Sequence, residues 1–182
     1  METDGGGWTV FQTRLNGALN FNKKWMEYKI GFGKPEGEFW LGNDVLHYIT
    51  SRSTYELRID VTDVLKSSGF AVYKHFHIGS SETNYHLSVA DYSGNIADVL
   101  SNQTGKQFST FDADNDEIRQ NCAFNFKGGW WYGDCGTRYV SYLNSQYTRG
   151  SFTQQSQGPG IIWYEKEYQH FLEHTQMMIR RQ

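Results

Sequence analysis

An α+β domain with an antiparallel sheet, short helices and one long acidic loop is the fold class that this sequence predicts. Three observations carry it. Between residues 55 and 89 three runs alternate apolar and polar side chains, the pattern of strands buried on one face. Two short helical windows precede them. From Asp91 to Gly160 the chain is rich in Gly, Asn, Ser, Asp and Gln, with little periodicity apart from Phe124 to Tyr132.

The elements follow in order. The chain opens METDGGGWTVFQTR; no Gly-Lys-Ser/Thr follows the three glycines, so a phosphate loop is excluded. A tight turn into a strand, Trp8 to Arg14, fits instead, with Trp8, Val10 and Gln12 on one face. Asn22 to Lys29 reads as a helix with Asn22 as N-cap and Gly31 and Gly33 as its stop. Gly37 to Gly42 is an aromatic turn into a second helix, Asn43 to Thr50, where Val45, Leu46 and Ile49 form the apolar stripe. Tyr55 to Val61 places Tyr55, Leu57, Ile59 and Val61 inward. Ser67-Ser68-Gly69 signals a hairpin into Phe70 to Ile78, and Tyr85 to Val89 is the third alternating run. His75 and His77 share one face of their strand, but no third ligand is visible and both read as solvent-facing. His47, His86, His170 and His174 make no better case. Ile161 to Tyr164 and Thr175 to Arg180 read as strands that close the sheet.

An irregular stretch as long as 91–160 needs a physical reason to be ordered. Residues 112–135, DADNDEIRQNCAFNFKGGWWYGDC, supply one. Asp112, Asp114 and Asp116 alternate, so Asp114 and Asp116 can converge on one hard cation. Calcium takes oxygens from carboxylates, carbonyls and water and tolerates irregular loops. The run is no EF-hand, because no Gly stands at its sixth position and no Glu at its twelfth. The alternative is a solvated acidic turn. Cys122 and Cys135 enclose a loop whose crosslinking removes about 3 kcal/mol of unfolded-chain entropy. In the cytosol they would stay reduced; with no C-x-x-C and no nearby His pair, zinc is disfavoured, and a disulfide in an oxidising compartment fits best.

Composition agrees with one secreted domain. The 182 residues are enough for a sizeable core, and no linker divides them. Aromatics reach 16%, so large rings that still need polar partners build that core. A net charge of −3 without a clustered basic face argues against nucleic acid, and no apolar run is long enough for membrane insertion. Asn102-Gln103-Thr104 is an N-glycosylation sequon, consistent with export as a glycoprotein.

Taken together, METDGGGWTVFQ, YKIGFG, GEFWLGND, YELRIDV, FSTFDADND, NCAF, GGWWYGDC and MMIR resemble the fibrinogen-like domain of fibrinogen chains, ficolins, tachylectins, angiopoietins and tenascins. The match spans almost the whole chain. It implies an α+β domain with a twisted antiparallel sheet over about 1–92 and 160–182. A calcium-bearing and ligand-binding loop subdomain would occupy about 93–159. Carried over by position, the calcium ligands are the side chains of Asp114 and Asp116 and the carbonyls of Ile118 and Gln120. Asp112 and Glu117 then only deepen the negative field. The resemblance also implies a cis peptide at Asp134-Cys135; a trans bond there weakens the case for a family-type pocket. The family's N-terminal disulfide segment is expected to be missing from this single domain, as are the stalks that multimerise many relatives, with an oligomer expected in the full-length context.

Such domains bind glycans, acetylated groups or proteins, and are not enzymes. In acetyl-binding members a histidine follows the second cysteine and an aromatic stands four residues after the first; here those positions are Gly136 and Phe126. The segment after Gly136 is longer than in the lectins, and the acetyl-pocket Tyr-Ala pair has no clear counterpart around Phe152. Arg138, Tyr139, Tyr142 and Tyr147, with Asp134, are the remaining pocket candidates, since amphipathic rings and a planar cation suit sugar stacking and protein contact alike. Loop packing is the alternative for these tyrosines. Two functions follow. One is a lectin-like, calcium-dependent module for carbohydrate or acetylated groups on cell or microbial surfaces, as in innate immunity. The other is an adhesion or receptor module for an extracellular protein, with a purely structural calcium.

Overall fold

The computed structural model describes residues 3–136, 139–148, 160–165 and 168–182. Its strands are β1 (Thr9–Arg14), β2 (Phe32–Gly33), β3 (Phe39–Trp40), β4 (Tyr55–Asp63), β5 (Ser68–Ile78), β6 (Leu87–Gly94), β7 (Tyr139–Tyr142), β8 (Ile162–Glu165) and β9 (Tyr168–Arg181). Three helices, α1 (Trp25–Ile30), α2 (Asn43–Thr50) and α3 (Cys122–Phe126), complete the regular structure beside short 3-10 turns. The main sheet runs β2-β3-β1-β9-β4-β5-β6 with antiparallel neighbours, and β7 joins it through β8, which pairs with β9. The last strand in sequence is therefore central, held by β1 on one side and β4 on the other.

Period-2 alternation in β4 works as expected: Leu57, Ile59 and Val61 are buried and Tyr55 is half-buried. In β1 it does not. The register slips between Val10 and Gln12 against β9, so Phe11 and Gln12 are both fully buried while Val10 lies only half-buried. The Gly37–Gly42 turn contains a strand, because Phe39 and Trp40 pair with Thr13 and Gln12. The helix predicted from Asn22 starts at Trp25 with Lys24 as N-cap. Glu27 reaches back to the Lys24 N–H at 2.9 Å, and Asp112 of the acidic loop accepts the Trp25 N–H at 2.9 Å. Gly31 ends that helix, donating its N–H to the Glu27 carbonyl at 2.8 Å. α2 has the predicted bounds, but Leu46 and Thr50 face inward and Val45 is exposed.

One apolar core runs through the sheet and the long loop. Trp40 meets Phe108 at 6.0 Å and Trp131 at 6.0 Å between ring centroids, and Phe108 meets Trp131 edge-on at 5.2 Å. Trp131, Tyr28 and Gln12, buried in or beside that core, have partners for their polar groups, as desolvation requires. The Trp131 indole donates to the Tyr85 carbonyl at 2.7 Å, and Tyr28 donates to the Phe21 carbonyl while accepting the Gly129 N–H. Gln12 donates to the Leu143 carbonyl and to Asn144, which donates on to the Gly129 carbonyl. The Thr175 hydroxyl of β9 donates to Gln12 Oε1 at 3.0 Å. These links bolt the long loop to the centre of the sheet.

Arg14 and Glu38 form the charged part of the same layer. The Glu38 carboxylate, 6% exposed, accepts backbone N–H groups from Leu15, Asn16, Gly17 and Leu19 and lies 3.7 Å from the Arg14 guanidinium. Burial pushes its carboxyl up, but the backbone donors and Arg14 outweigh that and hold it below the ordinary value. A lowered folded pKa means that the unfolded chain binds the proton first. This contribution is full above the unfolded value of 4.5 and is lost as pH falls through the folded pKa. The expected result is a urea midpoint that drops on acidification below that value, and a Glu38→Gln variant whose midpoint drops less. Equal slopes would remove Glu38 from the acid transition.

Candidate functional site

The three aspartates do not act together. Asp112 turns back to α1, where it accepts the Trp25 N–H, and also accepts the Thr110 hydroxyl at 2.8 Å. Asp114 and Asp116 do converge. Asp114 Oδ1 accepts the Asp116 N–H at 3.4 Å, while Asp116 Oδ1 and Oδ2 accept the N–H groups of Ile118 at 3.1 Å and Cys122 at 2.8 Å. Burial, and then the Asp114 carboxyl beside it, push the Asp116 carboxyl up against the pull of those donors. Glu117 points elsewhere, paired with Lys106 at 2.5 Å.

Among the described residues no donor reaches the carbonyls of Ile118 or Gln120. Two crowded carboxylates and two open carbonyls make an all-oxygen donor set in a loop without regular structure. That set fits a hard divalent cation, which would relieve the like-charge contact that raises Asp116. The same loop is crosslinked: Cys122 and Cys135 form a disulfide across 13 residues. Cys122 opens α3, capped by Asn121, whose side chain accepts the Phe124 N–H at 2.7 Å. One residue thus joins the acid loop, through its N–H, to the sulfur bridge, through its side chain.

The expected cis bond is absent. No cis peptide occurs among the described residues, Asp134-Cys135 included. A trans bond is the lower-energy state before a non-proline residue, and Asp134 Oδ1 closes the turn by accepting the Gly136 N–H at 2.9 Å. That support for a family-type pocket is withdrawn.

The predicted pocket residues scatter. Phe126 and Tyr142 pack against each other at 4.5 Å and against Tyr132 at 6.0 and 5.0 Å. Tyr142 is 1% exposed, so it belongs to the core. Burial, with Asp134 and Asp116 nearby, pushes its hydroxyl well above the ordinary range. Tyr147 lies far along the chain's other edge, its ring over Gly17 and its hydroxyl donating to the Leu15 carbonyl at 3.5 Å. Arg138 and Phe152 lie outside the described residues. Asp134 and Tyr139 do meet, with Gly133 next to them, in an open cavity of about 550 Å³.

The other walls of that cavity come from Asp98, Asn102, Lys106 and Glu117. Asp98 accepts the Tyr73 hydroxyl at 2.9 Å, and Tyr139 on β7 is 41% exposed. Beneath them Gln103, fully buried, donates to the Trp131 carbonyl and accepts from both the N–H and the hydroxyl of Ser141. It thereby fixes β7 to the 3-10 turn that carries Asn102. Sequence reasoning reached Asn102 only as a sequon and missed Asp98 and Gln103. Lys106 left a faint signal, as the one lysine between residues 75 and 126.

Comparison with known proteins bears on this arrangement. The family described as fibrinogen beta and gamma chains, C-terminal globular domain, matches residues 1–182. Tenascin-R of Gallus gallus is 46% identical over 90% of the chain and 12% of its own length. Ryncolin-4 of Cerberus rynchops is 44% identical over 100% of the chain and 52% of its own length. Fibrinogen C domain-containing protein 1-B of Xenopus laevis is 43% identical over 100% and 40%. The chain thus spans about half the length of these relatives, or less. Among solved structures, the fibrinogen-like globe domain of human ANGPTL6 superposes with a TM-score of 0.91 at 37% identity, covering 100% of this chain and 81% of that one. A lamprey fibrin D-dimer complexed with the peptide Gly-His-Arg-Pro-amide gives 0.84 at 31%, over 97% and 62%.

Proposed function

The chain belongs to the family of fibrinogen C-terminal globular domains, and on that premise we propose that it is an extracellular, calcium-dependent recognition module of lectin type. Binding, without catalysis, is its role. The observation that carries this reading is the open cavity beside the acidic loop. Its walls are carboxylates, an amide and a lysine that can exchange hydrogen bonds with hydroxyl groups, and its rim holds one exposed tyrosine ring for a sugar face to stack on. Calcium would be held by the carboxylates of Asp114 and Asp116 and the carbonyls of Ile118 and Gln120. It would fix the loop from which Glu117 enters the cavity. Gly136 carries no side chain where acetyl-binding relatives place a histidine, so hydroxyl groups, not N-acetyl groups, are the favoured contact.

The test is a glycan array probed with calcium and with a chelator. Saturable binding that needs calcium and fails in Tyr139→Ala supports the proposal; a blank array in both conditions overturns it. Calcium at a hundred times its dissociation constant should stabilise the protein by about 2.7 kcal/mol, roughly 5–11 °C in Tm for a domain of this size. Asp116→Ala should abolish that increment. Identical melting of the parent with calcium and with chelator would remove the ion from the account.

A second reading is a receptor for a protein or peptide. It is favoured by the three carboxylates, Asp98, Glu117 and Asp134, that line the cavity against a single lysine, a balance that suits a basic segment. The lamprey fibrin neighbour, whose ligand is a peptide with an arginine, points the same way.

A further inference from the structure

Three histidines that the sequence leaves unrelated lie in a row. His77 on β5 is flanked by His47 of α2, with ring centroids 6.1 Å apart, and by His86 before β6, at 6.3 Å. All three are half-buried, and His77 borders an open cavity.

Their hydrogen bonds decide which ring nitrogens stay available. His47 Nδ1 lies 3.0 Å from the Ile78 carbonyl, which only accepts, so Nδ1 carries the proton and Nε2 keeps its lone pair. The Thr83 hydroxyl already donates to the Ser80 carbonyl at 3.0 Å, so it accepts from His86 Nδ1, also at 3.0 Å. Nε2 of His86 is thereby open as well. A backbone carbonyl or hydroxyl holding one ring N–H while the other nitrogen is free is the outer-shell arrangement of metal-binding imidazoles. Gly79 makes room for it: a Cβ there would collide with the His86 ring and with Thr83.

We propose that this row binds a borderline transition-metal cation of the zinc, copper or nickel class, with His77 as the shared ligand, Nε2 of His47 or of His86 as the second, and water completing the shell. Imidazole suits such ions and does not suit calcium. Among the described residues no three ligands are already gathered about one point. Two imidazoles on one tetrahedral ion at bonds of about 2.0–2.1 Å would have centroids about 5 Å apart. Closing either pair that His77 makes therefore takes about 1 Å of ring movement, within reach of half-buried side chains.

The test is calorimetric titration of the untagged protein with zinc chloride, in buffer that keeps the acidic loop saturated with calcium. The expected result is saturable binding of one ion, weakened at least about tenfold in His77→Ala and less in His47→Ala and His86→Ala. His77→Gln, which keeps the volume of the ring, should lose binding equally, and circular dichroism confirms that each variant folds. Parent binding indistinguishable from that of a His47→Ala/His77→Ala/His86→Ala protein, or full affinity in His77→Gln, would overturn the inference.

Discussion

Replacing Arg14 with methionine should lower the free energy of unfolding by about 3–5 kcal/mol, the cost of removing one partner from a buried ion pair. Arg14 is 1% exposed, and its Nη1 donates to the carbonyls of Leu143 at 3.1 Å and Ser145 at 2.8 Å. Its guanidinium also stacks 4.0 Å above the Phe21 ring. Burial lowers its pKa to about 10, so it stays charged at neutral pH. Methionine retains most of the aliphatic packing but strands the buried Ser145 carbonyl, leaves the Leu143 carbonyl to Gln12 alone and leaves Glu38 with backbone partners only. Urea denaturation of parent, Arg14→Met, Glu38→Gln and the double variant separates the pair from the packing. If the double variant is as unstable as the sum of the singles, the two side chains are not coupled and the loss belongs to the carbonyls alone.

Reduction of Cys122–Cys135 should cost about 3 kcal/mol, the loop entropy returned to the unfolded chain. The loss should be local in its consequences. Cys122 presents its N–H to Asp116 at 2.8 Å, and Asp134 and Gly133 on the cavity wall adjoin Cys135. Hydrogen exchange after mild reduction should therefore rise in residues 114–136 before it rises in β4 or β9. Uniform exchange through the whole chain would mean that the bridge stabilises the domain globally and does not organise the site.

Much of the sheet could be read from residue order. α2 has its predicted bounds and β4 its predicted inward face, because Leu57, Ile59 and Val61 need nothing beyond period-2 alternation. The two cysteines were legible because their number and company favour a disulfide, and the meeting of Asp114 with Asp116 because side chains two apart fall on one side. What failed depends on contacts between distant segments. The slip in β1 that buries both Phe11 and Gln12 is set by β9, some 165 residues on. Asp112 matched the acid pattern but answers to a helix N-terminus from the other end of the chain. Tyr139, Tyr142 and Tyr147 look alike in sequence; one is at the cavity, one in the core and one over Gly17, a sorting made by packing alone. The row of histidines was missed because its members come from a helix, a strand and a turn.

The central place of β9 bears on how the protein is made. During vectorial synthesis β1 and β4 emerge long before the strand that joins them, and each waits with an open hydrogen-bonding edge. β1 and β4 are joined only through β9, so acquisition of the native topology awaits emergence of that strand, a non-local and hence slow assembly. Oxidation of the two thiols, which are near neighbours in sequence, can precede that closure and leave the loop preformed when the sheet is finally zipped.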